Sequence, residues 1–459
     1  MGTVTFLLPD PLPVEAARCL ERACLAIGYD QSPVPTRRKL EDGRLELTKD
    51  ANESGYLSLP WPVTGAGTPV CLSATLREQT EPYHLVLELA RGKLNQVRNL
   101  TAEWESIGMA VDAPDRAELD EAIRLFGRAV IDPADAEGKA LAARVLELSL
   151  RLADRLTRTF AEQLLQTRLS ESGKLITGLG CRLSRVPPAD EQVRLAAACT
   201  AVRLVPDWRA IEPTEAGYDW TEFDALVDWA TKAGLQVSVG PLIDLDGSFP
   251  DWLAEWNGDL PSVAAFTCDF VETVVRRYQD RVNTWQVFSG FNHADALGLG
   301  EDDRIRLAAR LLEAARQADP QGEWVIGVAQ PWGDYLTSED YTYSPLVFAD
   351  TLMRAGFTLA ALDLELVFDG GEQASRFRDP LEVYRILELF SVLGIPLEAT
   401  VGLKPTPDDG PPGFEEAALG LVVALPQVRS VYWQRFADPT GSDAPVPSVL
   451  EKLRQRFIA

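Results

Sequence analysis

The stretch RVNTWQVFSGFN, residues 281–292, reads as a buried β-strand. Val282, Trp285, Val287 and Phe288 are apolar and mostly strong β-formers, and an amphipathic helical run, FTCDFVETVVRRY at 266–278, leads into them. In a chain that repeats strand and helix, such a strand ends where the chemistry is done. This one ends in Ser289, Gly290, Phe291 and Asn292, none of which is a strong acid or base.

Outward from that strand the alternation is regular. Strand-like segments fall at 174–181, 201–206, 236–243, 283–288, 324–329, 359–368, 396–403 and 430–436. Helix-like segments follow each of them, at 190–199, 221–233, 262–278, 302–318, 345–355, 380–393, 414–425 and 447–457. Gly234, Gly356 and Gly394 stand where helix C-caps belong. Eight strands alternating with eight helices predict an α/β chain whose C-terminal part, 173–459, is a (β/α)₈ TIM barrel. Upstream, short β-like runs at 3–8, 44–48, 55–59 and 69–76 punctuated by turn signals predict a small β-rich domain over 1–85. Its Tyr56, Trp61 and Tyr83 suit either a sugar-stacking surface or an ordinary core. Helical spacing over 85–104, 118–130 and 134–169 predicts a helical connector over 86–172.

Composition narrows the function. A net charge of −25 over 459 residues argues against nucleic acid and against an anionic membrane as partners, while a neutral ligand is compatible. The six cysteines are scattered without a CxxC pair, and only His84 and His293 are histidines. A zinc site, another metal or a serine–histidine triad is therefore not expected, and no motif calls for a cofactor. The first residues lack a basic n-region and their apolar run is broken by prolines. Together with the apolar settings of the thiols this predicts a cytoplasmic protein.

Several stretches resemble the family-10 xylanases, retaining glycosidases built on (β/α)₈ barrels. They are Trp208-Arg-Ala-Ile-Glu-Pro213 with Gly217-Tyr-Asp-Trp220 and Asp224, Pro250-Asp-Trp252, Arg277-Tyr278 with Trp285-Gln-Val287, Gly394-Ile-Pro396 to Thr400, and Tyr432-Trp433. The resemblance spans roughly 174–459 and implies a carbohydrate, an oligo- or polysaccharide, as ligand. It also implies an acid/base glutamate ending strand 4 and a nucleophile glutamate ending strand 7. Gly290 occupies the first of these positions and Val401 the second.

Retaining hydrolysis requires two carboxyl groups about 5–5.5 Å apart, and neither glycine nor valine supplies one. No acid lies within 287–292 or 399–404 that a one-residue shift would bring in. If the chain is active, its acids are relocated, and the candidates are Asp246 and Asp369, nearest the expected site, together with Glu365. Glu365 and Asp363 lie in an otherwise apolar strand, where a carboxyl is either raised in pKa or paired; Arg435 and Arg354 are the candidate partners. For ligand contact the candidates are Asp207, Trp208, Asn292, Trp332, Tyr335, Trp433 and Arg435, with His293 as a further anchor, because aromatic faces and a few polar groups hold neutral sugars. Three functions follow: a barrel that binds a neutral glycan without the retaining mechanism, a glycosidase with relocated acids, or an interaction protein whose N-terminal half carries the role.

Overall fold

The computed structural model describes residues 2–51, 53–294, 296–368, 375–403, 413–434 and 448–457. The N-terminal strands are Gly2–Leu7 (β1), Cys24–Ile27 (β2), Ser32–Val34 (β3), Arg37–Glu41 (β4), Arg44–Lys49 (β5), Tyr56–Pro60 (β6), Val70–Leu72 (β7) and Tyr83–His84 (β8), with helix α1 at Val14–Leu20. They form two four-stranded sheets, ordered β4-β5-β1-β8 and β3-β2-β6-β7. Strands β2, β3, β4 and β8 are additional to the four read from the sequence. Trp61 is buried in this region's core and Tyr83 packs against Phe6, so both favour the core alternative over a stacking surface.

Three long helices follow, Leu85–Ser106 (α2), Ala113–Ala129 (α3) and Ala136–Ser172 (α4). Asp112 and Asp135 cap the last two by accepting from Asp115 N and Glu137 N, satisfying donors that a helix start leaves open. Trp104 and Phe160 stack at 4.4 Å and meet the edge of Tyr384, which joins the bundle to the barrel. Buried Lys93 completes the junction, donating to Asp379 Oδ2 at 2.6 Å, while Gln96 donates to Glu382 Oε1 at 2.7 Å. At the other end Val70 N donates to Phe377 O at 2.9 Å.

The barrel strands are Gly178–Leu183 (β9), Ala201–Leu204 (β10), Gln236–Val239 (β11) with its continuation Ile243–Asp244 (β12), Thr284–Ser289 (β13), Glu323–Ala329 (β14), Ala361–Phe368 (β15), Leu397–Leu403 (β16) and Val428–Trp433 (β17). All pair in parallel, and β17 against β9 closes the ring. The third strand is split at Gly240, whose φ is 134° and where a Cβ would stand 2.1 Å from the Gln286 carbonyl oxygen. Only glycine fits there, and the break lets β12 re-aim the chain toward the C-terminal end of the barrel. A register shift between Gln286 and Phe288 on β13 adds one residue, so that Gln286 and Ser289 both face inward. Gly327 on β14 makes room for that pair, since a Cβ there would lie 2.5 Å from Gln286 Nε2 and 2.6 Å from Ser289 Oγ.

Candidate functional site at the barrel mouth

Barrel interiors are commonly filled by branched apolar residues. This one holds charge, in two layers.

The lower layer centres on Arg203 of β10, which is fully buried. One guanidinium nitrogen donates to Asp363 Oδ2 at 2.6 Å, and the other donates to Glu398. Asp363 Oδ2 also accepts from Gln286 Nε2 at 3.1 Å and Thr400 Oγ1 at 2.8 Å. Glu398 accepts from Arg429 Nε at 2.8 Å, and the Arg203 guanidinium lies 4.0 Å over the ring of Tyr432. Burial disfavours the charged arginine, but Asp363 and Glu398 outweigh it and hold the guanidinium above its ordinary value. The partner of Asp363 is thus Arg203. Arg354 pairs with Asp350 on the surface, and Arg435 lies outside the described residues.

The upper layer is more loosely paired. Glu365 of β15 accepts from Ser289 Oγ at 2.5 Å, while Arg182 of β9 stands 3.8 Å away, beyond hydrogen-bond length. Arg182 Nε is buried without a hydrogen-bond partner among the described residues. Burial pushes the Glu365 carboxyl up to about 7, against the pull of Arg182 and with Asp244 adding to the rise. Asp244 itself is raised, first by burial and then by Asp246. The side chains of Arg182 and Glu365 are 10% and 13% exposed, against 0% for Arg203 and Asp363. Solvent therefore reaches the upper layer and stops there.

Above it lies the strand end from which the fold was read. Gly290 has φ of 77°, and a Cβ added there would stand 3.2 Å from Asp246 Oδ2. The carboxylate of Asp246 thus borders the space that a side chain at 290 would enter. Asp246 Oδ2 is also 2.9 Å from His293 Nε2, within ion-pair range but not aligned for a hydrogen bond. On the other side of the ring, Gln330 Nε2 stands 3.3 Å from His293 Nδ1. An amide nitrogen only donates, so Nδ1 is the accepting ring nitrogen and Nε2 is the one that faces Asp246. His293 is buried and so is not the solvated loop histidine that its position suggests.

The other candidates are scattered. Asp207 is exposed and caps the short helix Trp208–Ile211 by accepting from Ala210 N at 3.3 Å. Together with Trp208, Asp244, Ser184, Ser248 and Phe249 it lines a recess of about 230 Å³ beside the mouth. Trp208 is buried, stacked on Phe270 at 4.6 Å, with its indole nitrogen donating to Glu212. Asn292 is buried, and both ends of its amide bind the backbone of Ala329. Trp332 lies buried against Phe368 and beneath the Arg378 guanidinium. Tyr335, also buried, donates to the Tyr343 carbonyl. Side chains alternate along a strand. Since Tyr432 faces Arg203 inside the barrel, Trp433 faces the helices. By the same alternation Thr400 points inward, to Asp363, and Val401 outward. The aromatic candidates thus build walls and do not offer open faces. Asp369 lies outside the described residues. Arg182, Ser289 and Asp244 are the site members that sequence reasoning passed over or left in the background. An arginine in the otherwise small and apolar run GLGCRL was the available signal for the first of them.

Residues 205–321 match the family model Glycosyl hydrolase family 10. Over 143 residues the chain is 32% identical to Endo-1,4-beta-xylanase C of Paenibacillus barcinonensis, covering 26% of this chain and 13% of that protein. It is 27% identical over 123 residues to Endo-beta-1,4-xylanase Xyn10C of Cellvibrio japonicus, covering 24% of this chain and 20% of that one. The chain thus spans 13% and 20% of the length of these curated relatives. Among solved structures, native xylanase 10B from Thermotoga maritima is 16% identical and covers 63% of this chain and 98% of its own, with a TM-score of 0.47. The C-terminal part of this chain is a family-10-like (β/α)₈ barrel.

Proposed function

We propose that this chain binds a neutral carbohydrate at the C-terminal mouth of its barrel and does not run the two-glutamate retaining reaction. The family-10 match over 205–321 supports a sugar ligand. The observation that carries the second half is Gly290, a left-handed glycine whose side-chain space is bordered by the Asp246 carboxylate. An acid extending from position 290 has no counterpart, and the inward residues Glu398 and Thr400 of β16 are both bound to the lower layer. Asp207, Asp244 and Asp246 at the mouth repel acidic polymers, which supports a neutral glycan. With the aromatic candidates buried, recognition rests on polar anchors at the mouth.

The test is isothermal titration of the full chain with xylohexaose and cellohexaose, run beside a reducing-end assay. Binding without steady release of reducing ends is the expected result. A second reading, hydrolysis by relocated acids, is favoured by one arrangement: Glu365 and Asp246 stand against consecutive residues, Ser289 and Gly290. Steady release that disappears in both Asp246→Asn and Glu365→Gln would establish it in place of the first.

A further inference from the structure

The upper layer of the barrel is built with a gap. Arg182 and Glu365 face each other across 3.8 Å. That is too long for a direct hydrogen bond and permits a bent bridge through one oxygen. The guanidinium can only donate, and its buried Nε has no acceptor among the described residues. Glu365 takes one proton from Ser289 and has further acceptor capacity on its carboxyl. An oxygen set to one side of the pair reaches both at hydrogen-bond length, and a hydroxyl accepts from one while donating to the other. The residual exposure of both side chains opens the layer to solvent, and Asp244, which lines the 230 Å³ recess, is close enough to feel the charge of Arg182. The lower layer has no such gap, because Arg203 is in direct contact with both of its carboxylates.

We propose that Arg182, Glu365 and Ser289 form the floor of the carbohydrate site, and that a hydroxyl of a neutral sugar bridges Arg182 and Glu365. This rests on the carbohydrate reading above and names the group that sets its specificity. Arg182 donates to the hydroxyl oxygen, the hydroxyl proton goes to Glu365, and Ser289 holds the carboxyl in place. No bond is made or broken. Placing a charged donor and a carboxyl at one hydroxyl makes the floor selective, because a sugar lacking that hydroxyl leaves both buried groups unpaired.

The experiment compares Arg182→Lys and Ser289→Ala with the wild-type chain by calorimetry, using xylohexaose and cellohexaose, with thermal unfolding of each variant as the folding control. Lysine keeps the charge but removes Nε and the planar fork. Arg182→Lys is expected to weaken binding by about ten-fold or more, the usual scale for a charged hydrogen bond, with little change in melting temperature. Ser289→Ala is expected to weaken it by about three- to ten-fold, and this readout stands alone if Arg182→Lys fails to fold. Wild-type binding that both folded variants reproduce within two-fold would overturn the floor and leave the carbohydrate reading in place, a bridging water then filling the gap. Failure of the wild type to bind either sugar would overturn both.

Discussion

The two charged layers of this barrel use the same chemistry to different ends. In the lower one Arg203 meets Asp363 and Glu398 directly, and Gln286, Thr400 and Arg429 add hydrogen bonds to the two carboxylates. In the upper one Arg182 faces Glu365 across a gap, with Asp244, Asp246 and His293 nearby. Direct ion pairing away from solvent marks the lower layer as structural. The wider Arg182–Glu365 separation, near solvent, is what makes the upper layer the candidate floor of a site. Charge alone, or burial alone, would not have separated them.

The comparison breaks most visibly at Arg203. Replacing it with Met leaves two buried carboxylates without their counter-charge, at a cost of about 3–5 kcal/mol. Urea denaturation should show a midpoint shift of that size, or loss of soluble protein. Arg182→Met should cost less than about half as much, because Glu365 answers by taking up a proton. Equal losses at the two arginines would erase the distinction between the layers.

Next in size is a pH effect. The Glu365 carboxyl is raised to about 7 in the folded chain from an ordinary 4.5. Between those values the folded state holds the proton more tightly than the unfolded state. Stability from this group is therefore complete below about pH 4.5, falls as pH rises, and levels off above about pH 7. The full span is on the order of 3 kcal/mol. Glu365→Gln should flatten the slope of unfolding free energy between pH 5 and 8. An unchanged slope would remove Glu365 from the upper layer's account.

A smaller effect is expected at Gly290. Alanine in its left-handed conformation, with a Cβ 3.2 Å from Asp246 Oδ2, should destabilise by about 1–2 kcal/mol and displace that carboxylate. Thermal unfolding measures the first consequence, and weaker sugar binding the second. The smallest change belongs to Asp246→Asn. Asp246 is 39% exposed, so its pairing with His293 should contribute less than about 1 kcal/mol to folding. The same substitution should still weaken sugar binding.

The barrel was legible because its period is. Parallel strands buried on both sides read as short apolar runs between amphipathic helices, and the segments read at 201–206, 324–329 and 396–403 lie within one or two residues of β10, β14 and β16. The N-terminal sheets were read less fully. Strand β4 is RRKLE, exposed at every position, and gives no alternation of burial to read. The site was half legible. A carboxyl in the apolar strand β15 announced Glu365 and Asp363, but their arginines lie far away in sequence, on β9 and β10. Which acid meets which arginine depends on the pleat and on the extra residue in β13, and neither is written in composition. Aromatics near strand ends misled for a related reason. A one-residue step along β17 separates Tyr432, inside the barrel, from Trp433 among the helices.

Lys93 has a practical bearing on all such tests. It belongs to α2, yet its ammonium sits buried against Asp379 and Glu382 at the start of the barrel helix Pro380–Ser391. A barrel expressed from residue 173 onward would keep both acids and lose their cation. A negative sugar titration on such a truncated chain would report a damaged scaffold, so ligand screens belong on the whole polypeptide.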